Sequence, residues 1–446
     1  MALGIDGLIS GIKTSEMIKQ LMDIEARPQI LLKTRVTSTQ TFVTALQNLN
    51  TKIASLAENA AKVSKPAGTD LFKANTTSDK VTATTTTGAA AGSLEISVSQ
   101  TAAAQVSLSG AMAAWPSNSV LAISANGTVT SFDTTDKSLD QVISEVNKAN
   151  LGVTGVKIAT GSVDGVQQYR VQFTASKTGT EGSFTASLDG TDMAVLKPAK
   201  DAKLTLWAGT PAAQEIISST NTFKALMPGV DITLAADTPA NTALTVNVER
   251  DDEAISKVAS DLVAGLADMF AYINRNSAVT VSTSSGTTKA SGGVFTSDAG
   301  IRDVKRQMME AATSPIDGRS PSEIGVVITK DGTVEFDADK FAAAMAADPA
   351  KTQETLQIIA GRVEAAGKVA SDKYDGLITQ RITGQESTIR SLNTQIEDWD
   401  RRLASRESTL KLIWGNLEVK LSQLQSQQDW LTGQLASLNT SSSGKK

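Results

Sequence analysis

Residues 378–438 read ITQRITGQESTIRSLNTQIEDWDRRLASRESTLKLIWGNLEVKLSQLQSQQDWLTGQLASL. Ile378, Ile382, Gln385, Ile389, Leu392, Ile396, Trp399, Leu403, Arg406, Leu410, Ile413 and Leu417 stand alternately four and three apart, and only Gln385 and Arg406 are polar. That spacing is a heptad seam. Leu421 follows Leu417 by four again, a stutter, and Leu424, Gln428, Leu431, Leu435 and Leu438 then resume the rhythm. As one helix the stretch reaches about 90 Å at 1.5 Å per residue. So narrow an apolar stripe leaves most of its circumference polar, so the helix requires a partner helix.

The other end of the chain offers one. Thr14-Ser-Glu16 opens a helical pattern carrying Ile18, Leu21 and Met22, and Pro28 suits the first turn of a second helix. Leu32, Thr39, Phe42, Leu46, Leu49, Ile53, Leu56, Ala60 and Val63 follow, regular from Phe42 and ending before Pro66-Ala-Gly68. Packing is expected along Phe42, Leu46, Leu49, Ile53 and Leu56 on this side and Ile389, Leu392, Ile396, Trp399, Leu403, Leu410, Ile413 and Leu417 on the other.

Between the ends the period changes from helical to alternating. Leu94–Val98, Tyr169–Phe173, Val230–Leu234 and Leu244–Val248 read as strands, and Asn126-Gly127, Asp164-Gly165, Asp189-Gly190 and Pro228-Gly229 as turns. One helix interrupts them, with Ser138 and Gln141 as a capping box ahead of Val142, Ile143 and Val146. Helical periodicity returns after Asp251-Asp-Glu253 with Ile255, Val258, Leu262, Leu266, Met269 and Ile273. A polar break spans 276–293, a shorter helix starts at Thr296-Ser-Asp298, and a hairpin turns at Asp331-Gly332 between Val326–Ile328 and Val334–Phe336. Helices are expected after Asp337 and after Pro349.

The fold class is therefore α+β and multidomain: terminal helices form a coiled-coil or helical-bundle stalk into which β-rich head domains are inserted. The expected divisions are a disordered segment 1–15, stalk helices 16–66, an inner β-rich domain from 67–105 with 206–251, and an outer domain 106–205. Helices and hairpin over 252–377, a coiled-coil helix 378–423 and a terminal segment 424–446 complete the chain. Of the extreme ends, 3–12 and 431–443 are expected to be disordered in the free chain.

Two zeros restrict function: the chain of 446 residues has no Cys and no His. Thiolate catalysis, a Ser–His–Asp triad and structural zinc are excluded. The net charge of −5 without a basic run argues against nucleic acid, and no apolar run is long enough to cross a bilayer. The first ten residues lack the basic and long apolar regions of a cleavable signal. Carboxylates at Asp251, Asp252, Glu253, Asp337 and Asp339 permit a glycosidase pair on paper, but helix starts account for such residues. Asp331–Asp339 lacks the spacing of a calcium loop, and Gly88–Gly92 lacks the lysine of a phosphate loop. No catalytic, metal or cofactor site is expected, so the chain reads as a non-enzyme. Trp414 and Trp430 lie one step off the seam, where they either widen it toward a second partner or pack on the N-terminal helix. Arg406 and Gln385 either fix register or are tolerated exposure.

Three segments together carry a family resemblance. Gly4–Gly11 with Ile18–Glu25 and Pro28, residues 219–234 from Ser219-Thr-Asn221 to Leu234, and Arg319–Phe341 with its Ile324-Gly325, strand, Asp-Gly turn and Asp-led helix are similar to the flagellar hook-associated protein 2 family, the flagellar filament caps. The resemblance implies a secreted, extracellular structural protein at the distal filament tip. It implies a ring homo-oligomer, a pentamer, that helps exported flagellin subunits fold and insert. The implied partners are the chain itself, flagellin, hook-associated junction proteins and an export chaperone, with host mucin in some members; nucleic acid and membrane insertion are not implied. Filament or partner contact is then expected at Leu8, Ile9, Trp414, Trp430, Leu431, Leu435 and Leu438. A surface adhesin built on the Thr-rich strands, and another axial protein of the hook–filament junction, are the alternatives.

Overall fold

The computed structural model describes residues 13–284 and 287–442. Its helices, in chain order, are α1 (Thr14–Glu25), α2 (Arg27–Val63), α3 (Pro66–Thr69), α4 (Leu139–Lys148), α5 (Asp252–Ser277), α6 (Ala299–Thr313), α7 (Ala338–Ala347), α8 (Pro349–Ser371) and α9 (Leu377–Ser442). The chain divides into a helical unit, residues 1–64 with 260–446, and a β-rich unit, 65–259.

In the helical unit α2 lies against both α8 and α9, α6 and α7 lie on α8, and α1 runs along α9. The seam on α2 is its buried face: Leu46, Leu49, Ile53, Leu56, Ala60 and Val63 are all buried, and Phe42 is half-buried. α5 presents Leu262, Leu266, Met269 and Ile273, joined by Val263 and Phe270. The helices approach closely where side chains are small. A Cβ on Gly367 of α8 would stand 2.8 Å from the Ala57 Cβ, and one on Gly265 of α5 would meet Leu56 Cδ1 at 3.0 Å. Ser64 Oγ donates to Glu364 Oε2 at 3.1 Å, tying the end of α2 to α8.

Local chemistry sets the short elements. Asp298, Asp337 and Asp348 cap α6, α7 and α8 through side-chain acceptors. The hairpin Val326–Ile328 with Val334–Phe336 follows a 3-10 turn at Pro321–Ile324. That turn ends on Gly325, whose φ of 80° and close approach to the Asp337 carbonyl admit no side chain. The polar break read at 276–293 is instead a β-hairpin, Val279–Ser284 paired with Thr287–Gly292. Thr favours extended backbone, but only Val279 and Val281 mark an apolar alternation, too short to stand out in a polar run, and both are exposed.

The β-rich unit holds two hydrophobic cores. In the first, a five-stranded antiparallel sheet runs in the order 72–76, 242–250, 92–100, 202–206, 214–218, and a three-stranded sheet is built from 222–227, 230–234 and 81–85. Ile96, Val98, Leu204, Phe223, Ile232 and Val246 lie in its core. Ala202 and Leu204 belong here, although a boundary at 205 assigns them to the outer segment; register settles their place, since Leu204 pairs with Val98 and Ile216. The second core lies among two four-stranded sheets and α4: Leu121, Ile123, Val142, Val146, Val171 and Phe173 are buried there. α4 carries the Ser138–Gln141 capping box. Asn126-Gly127, Asp164-Gly165 and Asp189-Gly190 all have positive φ at both positions, as a two-residue hairpin turn with right-handed strand twist requires.

Candidate interaction surface on the terminal helices

α9 is 66 residues long, about 100 Å, and its two halves have different surroundings. In the first half Ile378, Leu392 and Leu410 are buried, while Ile382, Gln385, Ile389, Ile396, Trp399 and Leu403 are half-buried. Polar ties fix its register. Gln29 Nε2 of α2 donates to Asp400 Oδ1 at 2.5 Å and to the Ile396 carbonyl at 3.4 Å. Arg406 Nε meets Glu25 Oε1 of α1 at 3.0 Å, so the polar seam residue joins α1 to α9. The Arg402 guanidinium stacks 4.4 Å from the Trp399 ring centre.

Nearer the start of α9, Arg381 grips Asp298, the cap of α6, with both oxygens engaged at 2.6 and 2.5 Å. Asp298 is 11% exposed. Burial pushes its carboxyl up, but the Arg381 guanidinium and the amides of Ile301 and Gly300 outweigh it, and the net shift is downward. The charged pair is therefore the state that the folded unit keeps.

Past Leu410 the seam leaves its partner. Ile413 and Leu417, expected to pack inside, are exposed, and Trp414, expected either to widen the seam toward a second partner or to pack on the N-terminal helix, is half-buried. α2 begins only at Arg27, and at Arg406 the neighbour of α9 is α1, through Glu25. Trp430, Leu431 and Leu435 are exposed as expected, and α9 continues as helix through the terminal stretch expected to be disordered, to Ser442. Leu412, Val419 and Leu424 are exposed as well, as are Met17, Leu21 and Ile24 on α1. Leu412 and Val419 escaped the heptad reading because they lie off its seam. Leu8 and Ile9 lie outside the described residues, as does the Leu438 side chain.

Asp251 accepts from the Ala254 amide, Asp252 pairs with Arg250, and Asp337 accepts from the Lys340 amide, so these carboxylates serve helix starts. Hydrogen bonding from Arg250 holds the Asp252 carboxyl below its usual value, and the Lys340 amide does the same for Asp337. Among the described residues no group of three or more acidic side chains is arranged to hold a metal, and no helix is long and apolar enough to cross a membrane.

Two sequence models match the chain: that of the flagellar hook-associated protein 2 C-terminus over residues 199–426, and that of its N-terminus over residues 10–105. The chain belongs to the flagellar hook-associated protein 2 family. The B-type flagellar hook-associated protein 2 of Pseudomonas aeruginosa is 27% identical over 93% of this chain and 91% of that one. Flagellar hook-associated protein 2 of Escherichia coli O157:H7 is 23% identical over 96% and 97%. In fold, the chain is similar to the D1-D2-D3 domains of the flagellar cap protein FliD from Escherichia coli, with a TM-score of 0.58, 19% identity, and coverage of 76% of this chain and 99% of that one. Family members are structural filament caps, and the chain takes that role in the flagellum, outside the cell at the filament tip.

Proposed function

We propose that this chain caps the filament as a ring of identical subunits, a pentamer, which shelters arriving flagellin while it folds and inserts. The observation that carries the reading is the change along α9: a seam covered within the chain up to Leu410, then a stretch to Leu435 in which most apolar residues are exposed and only Trp414 and Leu421 are half-buried. A soluble monomer gains nothing from such exposure, whereas a subunit that engages other subunits does. The filament-contact set is then Trp414, Trp430, Leu431, Leu435 and Leu438 with Leu8 and Ile9, and the packing set runs from Phe42 to Leu56 and from Ile389 to Leu410. The role is mechanical rather than enzymatic, and hook-associated junction proteins, an export chaperone and host mucin are its further partners. The two cores of the β-rich unit act as separate inner and outer domains.

The test is complementation of a strain lacking its own cap protein. Full-length chain restores filaments and removes flagellin from the culture medium. A chain ending after residue 423 keeps the β-rich unit folded but leaves flagellin in the medium. Normal filament growth with that truncation would overturn the assignment of filament contact to the end of α9.

A further inference from the structure

A cleft of about 430 Å³ opens beside the second core of the β-rich unit, where strands of one four-stranded sheet meet a hairpin turn of the other. Arg170, on the strand Val166–Ala175, lines it. The guanidinium is half-buried and has neither an ion pair nor a hydrogen bond among the described residues. Two carboxylates, Asp189 and Asp192, line the same cleft without pairing with it. Taking a charged group partly out of water without an acceptor costs free energy, and no contact within the chain offsets that cost here.

The walls are fixed by the backbone rather than by the side chains that line them. The loop after Leu108 is held to the arginine strand: the Ser109 amide donates to the Val171 carbonyl at 3.0 Å, and the Met112 and Tyr169 backbones exchange bonds of 2.9 and 2.8 Å. Opposite, Asp189 and Gly190 form a tight turn with positive φ at both positions. Asp189 Oδ1 accepts from the Val120 amide at 2.8 Å, which leaves its other oxygen free. Asp192 accepts no hydrogen bond among the described residues. Leu108, Met112, Leu188 and Met193 supply the apolar lining. A site whose frame is set before a ligand arrives loses little ordering entropy on binding.

We propose that this cleft binds a small zwitterion with an apolar body, an apolar amino acid or dipeptide. The ligand carboxylate takes the planar fork of Arg170, the ammonium is held by the free carboxylate oxygens of Asp189 and Asp192, and the side chain lies on the leucines and thioethers. A simple anion such as phosphate meets two carboxylates, and a simple cation meets the guanidinium, so only a ligand of both signs satisfies all three groups. A sugar acid also carries a carboxylate, but it asks for several hydroxyl partners. The Ser109 hydroxyl is already engaged, donating to the Gly110 carbonyl and accepting from the Val171 amide, both at 2.8 Å. Thr191 alone then offers the cleft a hydroxyl. The site is independent of the filament contact assigned to α9.

Isothermal calorimetry on the full-length chain tests the assignment with L-leucine and leucyl-leucine as probes. At least one of them is expected to bind. N-acetyl-leucine, which lacks the ammonium, and leucinamide, which lacks the carboxylate, are expected to bind at least tenfold more weakly. Arg170→Gln and Asp192→Asn should each lower affinity for the zwitterion at least tenfold and leave the melting temperature of the unliganded chain unchanged. Heat from neither zwitterion overturns the proposal, as does leucinamide binding as well as leucine, since Arg170 then holds no carboxylate. Glucuronate binding that Arg170→Gln abolishes, with no binding of either zwitterion, would assign the cleft to a sugar acid instead. If Arg170→Gln melts early, Asp192→Asn with its own loss of affinity carries the test, and unchanged affinity in that variant overturns the role given to the carboxylates.

Discussion

Leu49 and Leu431 are the same residue type at heptad positions of two terminal helices, and truncating each to Ala separates a core contact from an assembly contact. Leu49 is 0% exposed on α2, between the buried Leu46 and Ile53. Leu49→Ala removes the transfer free energy of its side chain and leaves a cavity that stiff neighbouring helices fill poorly, a loss of about 3–5 kcal/mol. At an m-value of about 2–3 kcal/mol/M the urea midpoint of the helical unit falls by about 1–2 M. Leu431 is 53% exposed in the monomer, so Leu431→Ala costs the isolated chain no more than about 0.5 kcal/mol. If an assembled neighbour covers it, the same substitution removes about 1.5–3 kcal/mol from each contact, a tenfold to hundredfold fall in association. Far-UV circular dichroism during urea titration reads the first quantity, and co-sedimentation of the folded chain with flagellin filaments reads the second. The reasoning is refuted if Leu431→Ala shifts the urea midpoint as far as Leu49→Ala does, because α9 would then be buried within the monomer past Leu410. It is equally refuted if Leu431→Ala leaves association unchanged.

Three further outcomes follow from local geometry. Arg381→Ala strips Asp298 of its partner and costs about 2–3 kcal/mol by denaturant titration, since hydrogen bonds to charged groups are involved and Asp298 is largely buried. Because the folded carboxyl titrates below its unfolded value of about 3.9, its contribution is complete above that pH and lost as pH falls through the folded value. The acid limb of the stability profile should therefore be shallower in Arg381→Ala than in the parent. Gly325→Ala places a Cβ 2.3 Å from the Asp337 carbonyl oxygen at φ 80°; a loss of at least about 2 kcal/mol is expected, and a smaller one by calorimetry would contradict the tight turn. Ser138→Ala removes half of a capping box and should cost about 1 kcal/mol, seen as faster amide exchange in the first turn of α4 and not elsewhere.

What could be read from the sequence followed the strength of each physical signal. Helix starts were legible because an acidic or hydroxyl cap followed by an apolar period is a local signal: Asp298, Asp337 and Ser138 cap the helices they were expected to cap. Hairpin turns were legible because positive φ selects Asn-Gly and Asp-Gly. The hairpin at 279–292 was not, since backbone pairing leaves little mark on a Thr/Ser-rich run whose described side chains are exposed. Ala202 and Leu204 were given to the wrong core because an inserted segment returns to the sheet by strand pairing, and pairing across a hundred residues has no local signature.

The exposure of Ile413 and Leu417 has a more instructive cause. A heptad states that a helix has a partner; it does not state where that partner ends. α2 is antiparallel to α9, with Gln29 at its start held to Asp400, so α2 has no residues to offer beyond the next turn or two. α1 takes over as the neighbour of α9, and past Leu410 the heptad residues Ile413 and Leu417 are exposed while Trp414 is half-buried. The stutter at Leu417–Leu421 falls just past this exchange. A stutter locally unwinds the seam and turns its apolar line relative to the old partner. On this argument the heptads before and after it answer to different neighbours: α2 before, and another subunit after. Deleting Lys420, Leu421 and Ser422 with one adjoining residue, Gln423, restores the strict alternation of Leu417 with the later leucines. Such a chain should keep the urea midpoint of the helical unit, which the first half sets, and lose assembly, which the second half sets. Parent-like assembly by the deletion variant would show that one continuous seam serves both.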